Sequence, residues 1–213
     1  MVEKRTIIAV VGMAGAGKTS ACNFLEKHGF TVLRFGDQTD IGLKEQGLSL
    51  TEKNERKYRE NLREQLGMAA YAIKMKPRIE KALEEDDKIA LDGLYSWEEY
   101  TYLKKHFKDL ILLCVYARPE VRHTRLHKRV VRGLVKKEAE RRDITELVNL
   151  NKGAPIAMAD YLVENNGPMK DFNKKMNFFL EFLQNNRKKR KTSVSEYVSK
   201  MRDQRARRWK LSL

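Results

Sequence analysis

The stretch Gly12-Met-Ala-Gly15-Ala-Gly17-Lys18-Thr19 constrains this chain more than any other. It fits G-x-x-x-x-G-K-[ST]. An apolar run rich in β-branched residues, Thr6 to Val11, precedes it and reads as a central strand. Lys18 to His28 follows with helical spacing of Ala21, Phe24 and Leu25, and Gly29 suits the helix end. Strand, glycine loop and helix in that order let backbone N–H groups turn inward around phosphate oxygens, with the helix N-terminus adding a favourable dipole. Gly12, Ala14, Gly15, Ala16, Gly17, Lys18, Thr19 and Ser20 are therefore the candidate phosphate-binding residues. Lys18 is expected to reach the β- and γ-phosphates of ATP, and the Thr19 hydroxyl to ligate Mg2+.

The remaining pattern alternates strand and helix, which implies a parallel sheet with helices on both faces. Further strands are expected at Thr31 to Phe35, Lys88 to Leu91, Leu110 to Ala117 and Tyr161 to Val163. Between Gly36 and Asp87 the rhythm is helical. Ser49-Leu-Thr-Glu52 reads as a capping box ahead of Tyr58, Leu62 and Leu66, and a second helix is expected from Ala69 to Glu84. Ser96-Trp-Glu-Glu99 is another capping box, Pro119 suits a first helical turn, and Pro168 opens a helix carrying Phe172, Met176, Phe179, Leu180 and Leu183. The expected fold is α/β with three layers: a five-stranded parallel sheet, a helical insertion over about 38–86 and an arginine-rich lid over about 125–143, all within residues 1–186. Residues 187–213 read as a basic linker and a capped amphipathic helix.

Hydrophobic residues make up 41% of the chain and charged residues 34%, a balance that excludes wholesale disorder. The longest strongly apolar run, Leu110 to Val115, is far short of the roughly 20 residues that span a bilayer. Ile7 to Val11 is too short for a secretory signal. Cys22 and Cys114, the only two cysteines, read as reduced core residues of a cytoplasmic protein. The formal charge is +15, and residues 187–213 hold eleven Lys/Arg against two Asp/Glu. A basic body suits phosphate-bearing ligands, and a basic tail suits nucleic acid or another acidic partner.

Several side chains extend the phosphate reading. Asp92 ends a strand and faces the ligand crevice, where it can hold a Mg2+-bound water or position a substrate. Asp37 ends another and is a candidate substrate contact or base, with Asp40 a weaker rival. Arg122, Arg125 and Arg129 recur along one helical face, and Arg132, Arg141 and Arg142 follow. Arginines there can stabilise charge on a migrating phosphoryl group and close over ATP. His123 and His127 have zinc-compatible spacing but no further ligand, and read as part of a solvated basic face. Met68 and Met75 read as packing residues.

The order of phosphate loop, strand ending in Asp37, helical insertion, Asp92-Gly93 and arginine-rich lid resembles the P-loop nucleoside monophosphate kinases, in the branch around dephospho-CoA kinase and adenylate-kinase-like relatives. The resemblance covers roughly residues 5 to 185. Gly36-Asp37 resembles the family's Gly-Asp beside the acceptor. Asn61-Leu-Arg63-Glu-Gln-Leu-Gly67-Met68 resembles part of its substrate-binding insertion, which makes Arg63 a candidate contact for an acceptor phosphate. Lys76-Pro77-Arg78-Ile79 is similar to a Pro-x-Ile segment of dephospho-CoA kinases. Arg142-Asp143 is similar to the Arg-Asp after the lid. Ala159-Asp160-Tyr161 with Asn165 and Gly167 resembles a segment near the adenine. Tyr95 stands where the family's Asp-Gly-x-Arg has arginine, so that acceptor contact is missing or supplied elsewhere. Gln38-Thr-Asp40 likewise lacks an expected arginine.

The resemblance implies an ATP-dependent, Mg2+-requiring phosphotransferase acting on a small phosphorylated acceptor, a nucleoside monophosphate before dephospho-CoA, as a monomer or small homo-oligomer and without a membrane. Its catalytic residues would be Lys18, Asp37, Arg125, Arg129 and Arg142. Asp37, Arg63, Asp92 and Tyr95 would line the acceptor, Asn165 would lie near the nucleotide, and Thr19 and (through water) Asp92 would hold the metal. An alternative is a nucleotide-dependent nucleic-acid-binding or regulatory ATPase using the basic tail, where Tyr197 and Trp209 lie among positive charges. A shikimate- or gluconate-type kinase is a third reading, disfavoured by the insertion length and Gly36-Asp37.

Overall fold

The fold grows from β1 (Thr6–Val11), whose six residues are all buried. Such a strand has no face to offer water and must be covered on both sides. In the computed structural model, which describes residues 5–129 and 133–185, β1 is the middle of five strands. The others are β2 (Thr31–Arg34), β3 (Lys88–Asp92), β4 (Ile111–Tyr116) and β5 (Tyr161–Glu164). All pair in parallel, in the order β2-β3-β1-β4-β5. The expected α/β sheet is therefore present.

Eight helices lie between residues 18 and 157: α1 (Lys18–Lys27), α2 (Asp37–Glu45), α3 (Glu52–Leu66), α4 (Ala70–Glu85), α5 (Trp97–His106), α6 (Pro119–His127), α7 (Lys136–Val148) and α8 (Gly153–Ala157). Ile7, Ala9 and Val11 of β1 pack in one cluster with Ile89 and Leu91 of β3, Met75 and Ile79 of α4 and Leu103 of α5. Side chains alternate along a strand, so Ile8 and Val10 face the other way, and α1 packs against β1 and β3. The connections after β1 and β3 leave toward opposite edges of the sheet. A crevice opens at such a reversal. The register pairs Val10 with Asp92 and so sets Asp92 beside the start of the glycine loop.

One local reading changes and two gain detail. The segment expected to be helical after Gly36 begins with its own helix, α2, directly after β2, which sets Asp37 and Asp40 in a helical first turn. The cap of α3 is Thr51, not Ser49: Thr51 Oγ1 accepts from the Asn54 N–H at 3.3 Å. Ser49 is left in the preceding turn, where its carbonyl accepts from Asn54 Nδ2 at 2.9 Å. From Lys136 the segment expected as a lid is the helix α7. Ser96, by contrast, caps α5 as its sequence pattern implies, with Glu99 reaching back to the Ser96 N–H.

The chain divides into two compact units, Met1–Phe172 and Asn173–Leu213. A last helix over 169–185 begins in the first and ends in the second. In its second part Met176, Phe179 and Leu183 are buried, and the Phe179 and Phe182 rings stack at 6.2 Å. The basic linker and amphipathic helix expected over 187–213 lie outside the described residues, as does Arg132. Among the described residues no helix is long and apolar enough to cross a membrane. Cys22 and Cys114 are buried and unbridged.

The helix α7 is fixed to α6 by a nearly dry ion pair. Arg122 Nη1 and Nη2 donate to the two carboxylate oxygens of Asp143, each at 2.7 Å, and His123 Nε2 lies 2.9 Å from the same carboxylate. The two side chains of the pair are only 6% and 14% exposed. Burial alone would raise the Asp143 carboxyl, but the hydrogen bonds from Arg122 and His123 outweigh it and hold it below its ordinary value. Removing one partner of a buried pair strands the other charge. Asp143→Asn should therefore lower stability at pH 7 by about 3 kcal/mol in denaturant titrations. A depressed carboxyl contributes above its unfolded value of about 4 and loses that contribution as pH falls through the folded value. Wild type and variant should thus converge at low pH. An equal difference at pH 7 and at acid pH would contradict the pair's role.

Candidate nucleotide site

The glycine loop is held tightly from behind. Gly12 has φ +152°, and a Cβ there would lie 2.3 Å from the Val115 carbonyl oxygen of β4. Gly17 has φ +110°, and a Cβ would lie 2.3 Å from Asn165 Nδ2. Only glycine combines that backbone with that approach. Two loop carbonyls are tied down: Arg122 Nη1 donates to Ala14 O at 3.1 Å, and Asn165 Nδ2 donates to Ala16 O at 2.8 Å. A trans peptide points its N–H opposite to its C=O. Fixing these carbonyls therefore turns the Gly15 and Gly17 N–H groups to the other side of the loop.

Lys18 opens α1, and its ammonium donates to Gly12 O at 2.8 Å and Met13 O at 3.3 Å. Burial, and then the charge of Lys152, lower its pKa to about 8. Thr19 Oγ1 lies 3.4 Å from Asp92 Oδ2 at the end of β3. Asp92 is buried, at 9% exposure. A hydroxyl and a carboxylate beside a phosphate loop are the hard oxygen donors that Mg2+ takes, and this ion completes its shell with water and substrate phosphate rather than an all-protein cage. Among the described residues no group of three or more His, Cys, Asp or Glu could hold a metal ion. His123 is engaged by Asp143. Ser20 follows Thr19 in α1 and is half-buried.

A second polar cluster converges on Lys18. Arg142 Nε donates to Glu146 Oε1 at 3.2 Å, and Lys152 Nζ donates to Glu146 Oε2 at 2.7 Å. The Lys152 ammonium also stands 5.0 Å from the centre of the Tyr95 ring. Lys152, Glu146, Asp92 and Arg142 all exert their charge on Lys18. Sequence reasoning finds Arg142, Asp92 and Tyr95 here but gives no role to Glu146 and Lys152. The i, i+4 spacing of Arg142 and Glu146 is the one available signal.

The insertion supplies a third group. Arg78 Nη2 lies 3.6 Å from Asp37 Oδ2. Thr39 and Tyr71 hydroxyls share a hydrogen bond of 2.6 Å, and the Arg63 guanidinium stands 5.7 Å over the Tyr71 ring. Gln38 is buried, with its amide on the Met75 sulfur. Asp40 is exposed. Glu99, fully buried, accepts from the Tyr95 N–H at 2.7 Å, and burial pushes its carboxyl up to about 7. Glu99 Oε1 and Arg63 Nε are buried without a hydrogen-bond partner. Glu99 feels the charges of both Arg63 and Lys152, so the three clusters are electrostatically continuous.

The lid arginines part company. Arg122 is structural: its guanidinium is spent on Ala14 O, Ala117 O and Asp143. Arg125 Nη2 donates to Asn165 Oδ1 at 3.3 Å, while its Nη1 is buried without a partner. Arg129 is exposed and lies beyond α6, which ends at His127. Asn165, placed by resemblance near the adenine, braces the loop at Ala16.

A phosphate loop at the reversal of a five-stranded parallel sheet defines a P-loop NTPase of kinase-like fold. Residues 8–146 match the family model described as an AAA domain. The chain is 32% identical over 190 residues to a UPF0200 protein of Methanocaldococcus jannaschii, with 87% of this chain and 94% of that one covered. It belongs to the AAA-domain family, among the UPF0200 proteins. Two solved structures share the fold. Shikimate kinase from Acinetobacter baumannii, in complex with shikimate, gives a TM-score of 0.54 at 16% identity, covering 86% of this chain and 95% of that one. Dephospho-CoA kinase from Campylobacter jejuni gives 0.54 at 14% identity, covering 85% and 98%.

The brace on Ala16 is open to test. Asn165→Ala leaves a buried carbonyl unpaired and releases Arg125. Affinity for a fluorescent ATP analogue should fall about tenfold. Unchanged affinity would contradict the brace.

Proposed function

We propose that this chain is an ATP:acceptor phosphotransferase of the nucleoside monophosphate kinase or dephospho-CoA kinase type. The observation that carries the reading is the chain of buried polar groups beside the phosphate loop, in which Lys152 donates to Glu146 at 2.7 Å and stands over the ring of Tyr95, whose backbone N–H donates to Glu99 at 2.7 Å. A protein that only holds a nucleotide needs the phosphate loop. It has no use for a buried polar site beyond it containing an unpaired donor and an unpaired acceptor.

In this reading the loop amides and Lys18 hold the ATP phosphates. Thr19, and Asp92 through water, would hold Mg2+, which would supply charge neutralisation at the ATP phosphates. Asp37, steadied by Arg78, orients the acceptor oxygen and, where that oxygen is a hydroxyl, takes its proton. Arg63 and Tyr95 line the acceptor. That oxygen forms a bond to the γ-phosphorus as the bond to the β–γ bridging oxygen breaks, and ADP leaves with the electron pair. Arg125, Arg129 and Arg142 stabilise charge on the migrating group. The acceptor is a small phosphorylated or hydroxyl-bearing nucleotide-like molecule, a nucleoside monophosphate before dephospho-CoA.

The test is a coupled ADP-release assay with Mg2+ and ATP. The acceptor panel comprises ribo- and deoxyribonucleoside monophosphates, dephospho-CoA, shikimate and no acceptor. One acceptor should stimulate release manyfold, and Lys18→Ala should reduce turnover by at least about a hundredfold. Slow release indifferent to every acceptor would overturn the reading. It would favour instead the nucleotide-dependent, nucleic-acid-binding alternative, for which removal of 187–213 should abolish binding.

A further inference from the structure

Among the described residues Lys152 is the one fully buried lysine, with no exposed surface at all. Its ammonium has three N–H donors, and a single carboxylate oxygen, Glu146 Oε2 at 2.7 Å, receives one of them. The Tyr95 ring face at 5.0 Å offers a second, weaker partner. Glu146 is itself shared, since its other oxygen accepts from Arg142 at 3.2 Å. Lys18 lies close enough for the Lys152 charge to be the second cause of its lowered pKa. Around the buried Lys152 stand Lys18 and the exposed Arg142 as cations, and Glu146, Glu99 and Asp92 as carboxylates. Two ammonium groups held near each other repel, and an anion placed between them relieves that repulsion.

We propose that Lys152 is a phosphate-binding residue. In this proposal its ammonium, held in reserve on Glu146 and the Tyr95 ring, receives the phosphoryl group that lies beyond the β-phosphate held by Lys18 and the glycine loop. The proposal rests on the phosphotransferase reading and deepens it, because it accounts for the missing arginine. Asp92-Gly93-Leu94-Tyr95 carries a ring where the resembling kinases carry a cation for phosphate. Here the cation comes from the turn before α8 and is seated over that ring. Glu146 is then a positioning residue. It keeps Lys152 charged in a buried place and competes with the incoming phosphate for it.

The phosphoryl group has two possible sources, the γ-phosphate of ATP or a phosphate on the acceptor, and the test separates them. Mg·ATP, Mg·ADP, and inorganic phosphate added to the Mg·ADP complex are titrated by calorimetry into four proteins: wild type, Lys152→Met, Glu146→Gln, and the double variant. The double variant replaces the buried pair by neutral side chains and guards against misfolding of the single ones. Thermal unfolding without ligand verifies folding.

If Lys152 meets the γ-phosphate, Lys152→Met and the double variant should bind Mg·ATP about tenfold more weakly, with Mg·ADP unchanged. If it meets the acceptor phosphate, Mg·ATP and Mg·ADP should both be unchanged, while inorganic phosphate on the Mg·ADP complex weakens about tenfold. In either case Glu146→Gln should bind the affected ligand as tightly as wild type or more tightly, because it frees the cation. A purely structural pair gives a different pattern, in which both single variants lose stability and affinity together. That pattern, or a folded double variant with all three affinities unchanged, would overturn the proposal. None of these readouts needs turnover. A chain that binds as described but stimulates no acceptor-dependent ADP release would count against the kinase reading and leave the Lys152 site standing.

Discussion

The Arg122 guanidinium is the joint on which this molecule turns. From α6 it reaches the end of β4 at Ala117 O, the phosphate loop at Ala14 O and the helix α7 at Asp143. Gly15 completes the arrangement, because a Cβ there would lie 2.6 Å from the Arg122 carbonyl oxygen. Loop geometry, strand end and the helix carrying Arg142 and Glu146 are thus set by one buried charge. Arginine suits this place because its planar fork satisfies a bidentate carboxylate and two carbonyls at once, and it stays charged when buried.

That joint creates an electrostatic demand elsewhere. Holding α7 against the loop brings the buried Glu146 and Lys152 toward Lys18, with Arg142 at the exposed edge. Desolvation penalises Lys18, Lys152 and Glu146, and the charges of Lys152, Lys18 and Arg142 outweigh it at Glu146, whose carboxyl is held below its ordinary value. Glu99, with weaker compensation, is pushed up to about 7. A fold selected for stability alone would fill such a place with apolar side chains. The retained polarity, with unpaired atoms at Glu99, Arg63 and Arg125, is the physical case for ligand chemistry here.

Much of this was legible in the chain, for identifiable reasons. The loop declares itself because phosphate binding by backbone demands glycines at fixed positions. β1, β3 and β4 are legible because strands buried on both faces are short apolar runs. Asp92 follows from its place at a strand's carboxyl end. Ser96 is legible because a capping box is local chemistry. What escaped was set by tertiary contact. Lys152 and Glu146 are six residues apart and gain a role only when α8 folds back. Arg122 has the same spacing as a lid arginine, and only the distant Asp143 turns it inward. Asn165 is singled out by the resemblance, but its brace on Ala16, 149 residues away, depends on the placing of β5 beside β4. Thr51 displaces Ser49 as a cap because Asn54 can satisfy both, a choice that the pattern alone leaves open.

The central claim is that the phosphate loop and the α7–α8 cluster form one phosphoryl site. The most direct measurement is a crystal structure with Mg2+ and a non-hydrolysable ATP analogue. The β-phosphate should lie on the Gly15 and Gly17 amides with Lys18 beside it, and the space between Lys18 and Lys152 should hold the terminal phosphate or receive an acceptor phosphate. A triphosphate bound away from residues 12–19, or one on the loop with Lys152 walled off from any phosphate by Glu146 and Tyr95, would contradict it.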